Sequence, residues 1–94
     1  MKIGHSIKQL RKERGFSQIA FSKKINMSST YLSLVEDGKR HCSTHFLELI
    51  AKGLNIPLPI LFWFSMEEKD VPEDKKEVFE KFKPVIDSLI KDMF

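Results

Sequence analysis

Helix stop and start signals follow one another at short range through the first half of the chain. They leave space for little except short helices joined by tight turns. Gly15, Asn26 and Gly38 suit the left-handed conformation that closes a helix, and Ser17, Ser28 and Ser43 suit the cap that opens the next. Ile3, Ile7 and Leu10 recur at helical spacing and predict a first helix from Ile3 to Arg14. "QIAFSKKI" predicts a two-turn second helix with Phe21 and Ile25 inward, and a third runs from its Ser28 cap through Glu36 with Leu32 and Val35 inward. The second and third helices are separated by about three residues, the length of the tight turn in a helix-turn-helix.

A fourth helix is expected from Ser43 through Gly53, its core stripe formed by Leu47, Ile50 and Ala51 with Leu54 and Ile56 following. Pro57 and Pro59 fit only where backbone donors are unpaired, so a fifth helix begins near Leu58. No strand-like alternation or internal repeat occurs, and the fold class is all-α. Residues 1–65 form the expected main domain, and residues 66–72 an acidic connector. Residues 73–94 form an amphipathic tail helix, kinked or broken near Lys83 because Pro84 interrupts it.

With 41% hydrophobic and 31% charged residues, the chain has the balance of a folded globular protein rather than a disordered one. No apolar run approaches a membrane span and no signal-peptide core follows Met1, so a cytoplasmic chain without membrane contact is expected. Cys42 is the single cysteine and excludes an intrachain disulfide. The net charge of +3 is unevenly divided. Residues 1–53 carry ten Lys and Arg against four Asp and Glu, and residues 54–94 carry six against nine. A basic front and an acidic rear suit a protein that meets a polyanion with one side only.

In "IKQLRKERGFSQ", "FSKKINMSSTYLSLVEDGKR" and "LELIAKGLNIPLPILF", with the spacings between them, the chain resembles the phage-repressor or XRE-type helix-turn-helix regulators. The resemblance covers Ile3 to about Phe62. It implies a five-helix domain whose third helix lies in the major groove of double-stranded DNA. Ser22, Asn26 and Cys42 depart from the residues usual in that family, which are Ala, Gly and Pro. The resemblance also implies an ion pair between Arg11 of the first helix and Glu36 at the end of the third, a role in folding rather than in catalysis.

Placement gives the candidate interface. Ser17 and Gln18 open the second helix, where the Gln18 amide with free backbone N–H groups suits a phosphate oxygen. Lys39 and Arg40 follow Gly38 and resemble the family's backbone-gripping basic residues, although solvated charges after a helix stop are the blander reading. Ser28, Ser29, Thr30, Ser33 and Leu34 face outward on the third helix, and Ser29 and Thr30 occupy positions the family uses at base edges. Hydroxyls donate or accept and discriminate little, so each base contact carries modest specificity. Thymine-methyl contacts by Thr30 or Leu34, ordered water and DNA shape supply the remainder. Tyr31 either reaches sugar or phosphate or is simply packed.

His41, Cys42 and His45 invite a zinc reading, but no fourth ligand lies at a suitable spacing, so neither metal nor cofactor is expected. No nucleophile–base pair, phosphate loop or hydrolase motif is present, and the reading is non-enzymatic. Apolar residues exceed what one small core needs. Phe46 and Leu49 lie outside the fourth helix's core stripe, with Gly53 on their face, and "FWF" points Phe62, Trp63 and Phe64 in three directions. With Phe79, Phe82, Ile86, Leu89 and Ile90 of the tail, this surplus is buried in one of two ways, by the tail folding back onto its own domain or by pairing with a second subunit, and symmetric DNA half-sites favour a homodimer. The alternative is an antitoxin-like or other protein-interaction module whose tail holds a protein partner.

Overall fold

Four successive helices end alike in the computed structural model, which describes residues 1–94. The helices are α1 (Ile3–Glu13), α2 (Gln18–Lys24), α3 (Ser29–Glu36) and α4 (Thr44–Gly53). Each is followed by a residue at positive φ: Gly15 at 81°, Asn26 at 56°, Gly38 at 72° and Asn55 at 60°. In each case the two N–H groups after the cap turn back onto the last turn, as Gly15 does to Lys12 O and Phe16 to Arg11 O. This double return satisfies carbonyls that the helix leaves unpaired. At the other ends, Ser17, Ser28 and Ser43 accept from the N–H of Ala20, Tyr31 and Phe46. Asn55 is the stop that sequence reading passed over.

α5 (Leu58–Ser65) starts behind Pro57, and the chain then makes two 3₁₀ turns at Glu68–Asp70 and Glu73–Lys75 before α6 (Lys76–Met93). The tail helix therefore starts three residues later than Glu73. It is also unbroken at Lys83, with Pro84 inside it.

α1 packs on α3 and α5, α2 on α3, and α4 on α5. The core between them contains Ile7, Leu10, Phe21, Ile25, Met27, Leu32, Val35, Leu47, Ile50, Ala51, Leu54, Ile56 and Leu61. Two glycines sit where helices touch. A Cβ on Gly4 would lie 2.2 Å from the carbonyl oxygen of Val35, and one on Gly53 would lie 2.4 Å from the Ile25 side chain. Gly53 thus serves the approach of α4 to α2 in the core, and not an outer face shared with Phe46 and Leu49. No single helix is long and apolar enough to cross a membrane.

The surplus apolar residues divide between intramolecular packing and solvent. Phe46, Phe62 and Phe64 all pack against the core, and Phe46 also meets the Tyr31 ring at 5.4 Å. Trp63 turns to α6, donating from Nε1 to Asp87 Oδ1 at 2.7 Å and meeting the Phe79 ring edge-on at 6.2 Å. Phe79, Ile86 and Ile90 are half-buried, whereas Phe82 and Leu89 are exposed. Phe46, Trp63 and Phe64 are thereby engaged within one chain, Trp63 at the contact between the tail and its own domain. The tail helix folds back in cis.

Candidate nucleic-acid interface

The candidate interface is built on a buried ionic network behind α2 and α3. Arg11 donates from Nε to Glu36 Oε2 at 2.8 Å, from Nη2 to Glu36 Oε1 at 3.0 Å and from Nη1 to Phe16 O at 2.7 Å. Both side chains are almost fully buried, at 5% and 0% exposure, so this fork-to-fork pair is removed from water on all sides. A fourth bond reaches the surface: Gln18 Nε2 donates to Glu36 Oε1 at 3.0 Å. The first residue of α2 is thus anchored to the last residue of α3, which fixes the angle between the two helices of the turn.

In front of this network, Gln18, Ile19, Ser29, Thr30, Ser33 and Leu34 line one shallow open depression between α2 and α3. Ser28 and Ser17 are exposed at the caps, but each hydroxyl accepts a backbone N–H. Ser29, Ser33 and Leu34 are half-exposed and Thr30 is exposed. Ile19, 61% exposed, was missed by sequence reasoning. Its signal was an apolar residue off the Phe21–Ile25 stripe, one position after Gln18.

Tyr31 does not face this depression; it is not among the residues lining it. Its hydroxyl donates to His41 O at 3.3 Å and its ring packs on Phe46. The same ring supports Arg40, whose guanidinium carbon lies 5.4 Å from the ring centroid. Lys39 and Arg40 are exposed beyond Gly38, and neither forms an ion pair within the chain. They remain available to an anion.

Local chemistry accounts for two of the three departures from the usual pattern. Ser22 is buried and its hydroxyl donates to Ile19 O at 2.8 Å, so the extra oxygen is satisfied. Asn26 takes the left-handed conformation that Gly would. Cys42 is half-buried, and burial pushes its thiol above its ordinary range despite an opposing bond with Tyr31. His45 meets the Phe46 ring at 5.6 Å, and no cluster of three His, Cys, Asp or Glu side chains could hold a metal ion.

The profile of the helix-turn-helix family matches residues 7–61, which spans α2, the turn and α3 with the flanking helices. The chain belongs to that family. It is similar to the control protein C.MunI of Mycoplasma sp, at 43% identity over 63 residues, covering 66% of this chain and 85% of that protein. The immunity repressor protein of Bacillus phage phi105 is 30% identical over 90 residues, covering 83% of this chain and 62% of the repressor. Among solved structures, the restriction-modification controller protein C.Esp1396I, a tetramer in complex with its natural 35 base-pair operator, superposes with a TM-score of 0.62 at 35% identity. The superposition covers 67% of this chain and 83% of that one. In this helix-turn-helix chain, α2 and α3 are the motif helices.

Proposed function

We propose that the chain binds double-stranded DNA as a homodimer, with α3 in the major groove, and so regulates transcription. That it is a DNA-binding transcriptional regulator of the helix-turn-helix class, and not an enzyme, follows from its family and from relatives that are control proteins and repressors. The observation that supports the finer reading is the depression of Gln18, Ile19, Ser29, Thr30, Ser33 and Leu34, held from behind by the Arg11–Glu36–Gln18 network. It is shallow and open, and it combines hydroxyl and amide groups with two aliphatic side chains, as a surface that meets base edges and thymine methyl groups must.

Gln18 and Ser17 approach one phosphate strand, and Lys39 and Arg40 the other. Ser28, Ser29, Thr30 and Ser33 meet base edges, while Leu34 and Ile19 offer apolar contact to thymine methyl groups. Tyr31 acts indirectly by supporting Arg40. The site of action is the cytoplasm, at the nucleoid when bound. The competing reading, a module whose tail holds a different protein, draws on the exposed side of α6 alone.

Selection of bound duplexes from a randomised pool, followed by footprinting, tests the proposal. A pair of related half-sites with protection at one-turn spacing, ~34 Å, is the expected result. Recovery of no sequence above the starting pool at low salt overturns it.

A further inference from the structure

The outer side of α6 is apolar, and nothing in the chain covers it. Val78, Phe82, Val85, Leu89 and Met93 are 54–74% exposed. They follow one another at spacings of four, three, four and four residues, which makes one continuous stripe along the helix. The inner side of the same helix is fixed. Lys83 Nζ donates to Trp63 O at 3.1 Å and lies 5.1 Å from the centre of the indole, and Asp87 accepts from the Trp63 ring nitrogen. α6 is therefore held so that the stripe points outward, and it cannot roll to bury it without breaking these bonds.

We propose that a second copy of this chain covers the stripe, the two α6 helices packing antiparallel about a two-fold axis near Val85. The area is sufficient. Side chains of this size and exposure withdraw on the order of 500 Å² per copy, or about 1,000 Å² for the pair, the threshold for a biological interface and the size of one whose copies exchange. The stripe is also self-complementary in size. A two-fold near Val85 sets Phe82 of one copy against Leu89 of the other and Val78 against Met93, so a shorter side chain faces a longer one on both sides of the axis.

Charge points the same way. From Lys76 to Phe94 four lysines oppose four carboxylates, so two copies meet here without the repulsion carried by residues 1–53. Antiparallel packing also sets the positive end of each helix dipole beside the negative end of its mate. A nucleic acid would need a positive surplus on this face, and an anionic membrane a helix rich in basic residues. α6 has neither.

The proposal rests on the reading of the chain as a homodimeric regulator and names the surface that joins the copies. In the full-length chain, Phe82→Glu with Leu89→Glu changes only exposed residues. The double variant is expected to keep its helical circular dichroism, to sediment as a monomer, and to bind a two-half-site operator about 100-fold more weakly than the parent. Its binding to a single half-site is expected to be unchanged. In a Cys42→Ser background, Val85→Cys is expected to oxidise to a cross-linked dimer by itself. Val78→Cys and Met93→Cys are expected to cross-link only when the two variants are mixed. A parent chain that sediments as a monomer, a double variant that stays dimeric, or self-linking of Val78→Cys overturns the proposal. Failure of the DNA reading is distinguishable, because it gives a dimer that α6 substitutions dissociate but that binds no duplex.

Discussion

Gln18 Nε2 lies 3.0 Å from Glu36 Oε1, the same oxygen that accepts from Arg11 Nη2. One buried carboxylate therefore joins the front of α2, the end of α3 and the last turn of α1, and the surface proposed to meet DNA inherits its rigidity from an ion pair it does not contain. Removing Arg11 strands that carboxylate away from water. Arg11→Ala is expected to cost about 3–5 kcal/mol of folding stability, the range for breaking a buried pair. Denaturant titration measures it. A loss below about 1 kcal/mol, the ceiling for exposed pairs, would show that water reaches Glu36 when Arg11 is gone.

Gln18→Ala leaves the ion pair intact and removes only its outermost bond. Expected is a stability loss of roughly 1.5–3 kcal/mol or less, because the bond is to a charged group but part-exposed. Weaker DNA binding at every sequence is expected to accompany it, since Gln18 also positions the chain on phosphate. Equal affinity of variant and parent across a panel of duplexes would leave Gln18 a purely structural residue.

Lys39 and Arg40 differ in how they are held, and the difference is measurable. Arg40 lies over Tyr31, whereas Lys39 has no such support. Replacing both with Ala is expected to weaken binding similarly for all sequences and to lower the slope of log affinity against log salt by about 2, one for each phosphate no longer neutralised. Tyr31→Leu is expected to keep that slope while reducing affinity, because the charge stays and its orientation is lost. A variant lacking both cations that keeps the parent slope places these residues off the DNA.

Base preference tests α3 itself. Ser29→Ala and Thr30→Ala are each expected to alter preference at one or two positions in a randomised-site selection, costing less than the ~1–3 kcal/mol of a bidentate contact. Ile19→Ala is expected to relax preference where a thymine methyl is read. If all three variants select the parent's sequence, specificity comes from DNA shape and not from this depression.

The helix boundaries of the first four helices were legible because caps are local: a hydroxyl or a glycine acts on backbone groups within a few residues. Asn55 was not distinguished, since an Asn before Ile56 reads equally as ordinary loop. Gly4 illustrates what remains out of reach. Its backbone is ordinary, and the need for glycine comes from the Val35 carbonyl thirty-one positions away in α3. The fate of the aromatic run was hidden for a similar reason. Trp63 faces α6 because Asp87 and Lys83 meet it there, twenty and more residues later. A one-dimensional count of apolar residues identified a surplus without saying which side of α6 carried it.

The connector between α5 and α6 contributes a pH dependence of its own. The Met1 ammonium lies 3.0 Å from both Glu67 Oε1 and Asp70 Oδ2. Its bond to the Asp70 side chain raises the ammonium above its ordinary 8.0. That ammonium holds the Glu67 carboxyl below 4.5, and the Glu67 N–H, followed by the ammonium, holds Asp70 below 3.8. A carboxyl lowered by folding stabilises the fold above its ordinary value, and that contribution is lost as pH falls through the folded value. An ammonium raised by folding stabilises the fold below 8.0, and its contribution is lost as pH rises through the folded value above that. Glu80, raised by its bond to the Glu68 carboxyl, acts in the opposite sense near the acid end, so the comparison needs a variant that leaves it untouched. Glu67→Gln with Asp70→Asn is expected to lower the melting temperature relative to the parent at pH 6. The two melting curves are expected to converge as pH falls through the folded values of Glu67 and Asp70, below 4.5 and 3.8, and as it rises through that of the ammonium, above 8.0, where the parent loses one side of the cluster. Because water reaches all three groups in part, added salt is expected to shrink the gap at pH 6. A gap that stays constant from pH 3 to pH 10 would mean that the substitutions act through the 3₁₀ turn they cap and not through charge.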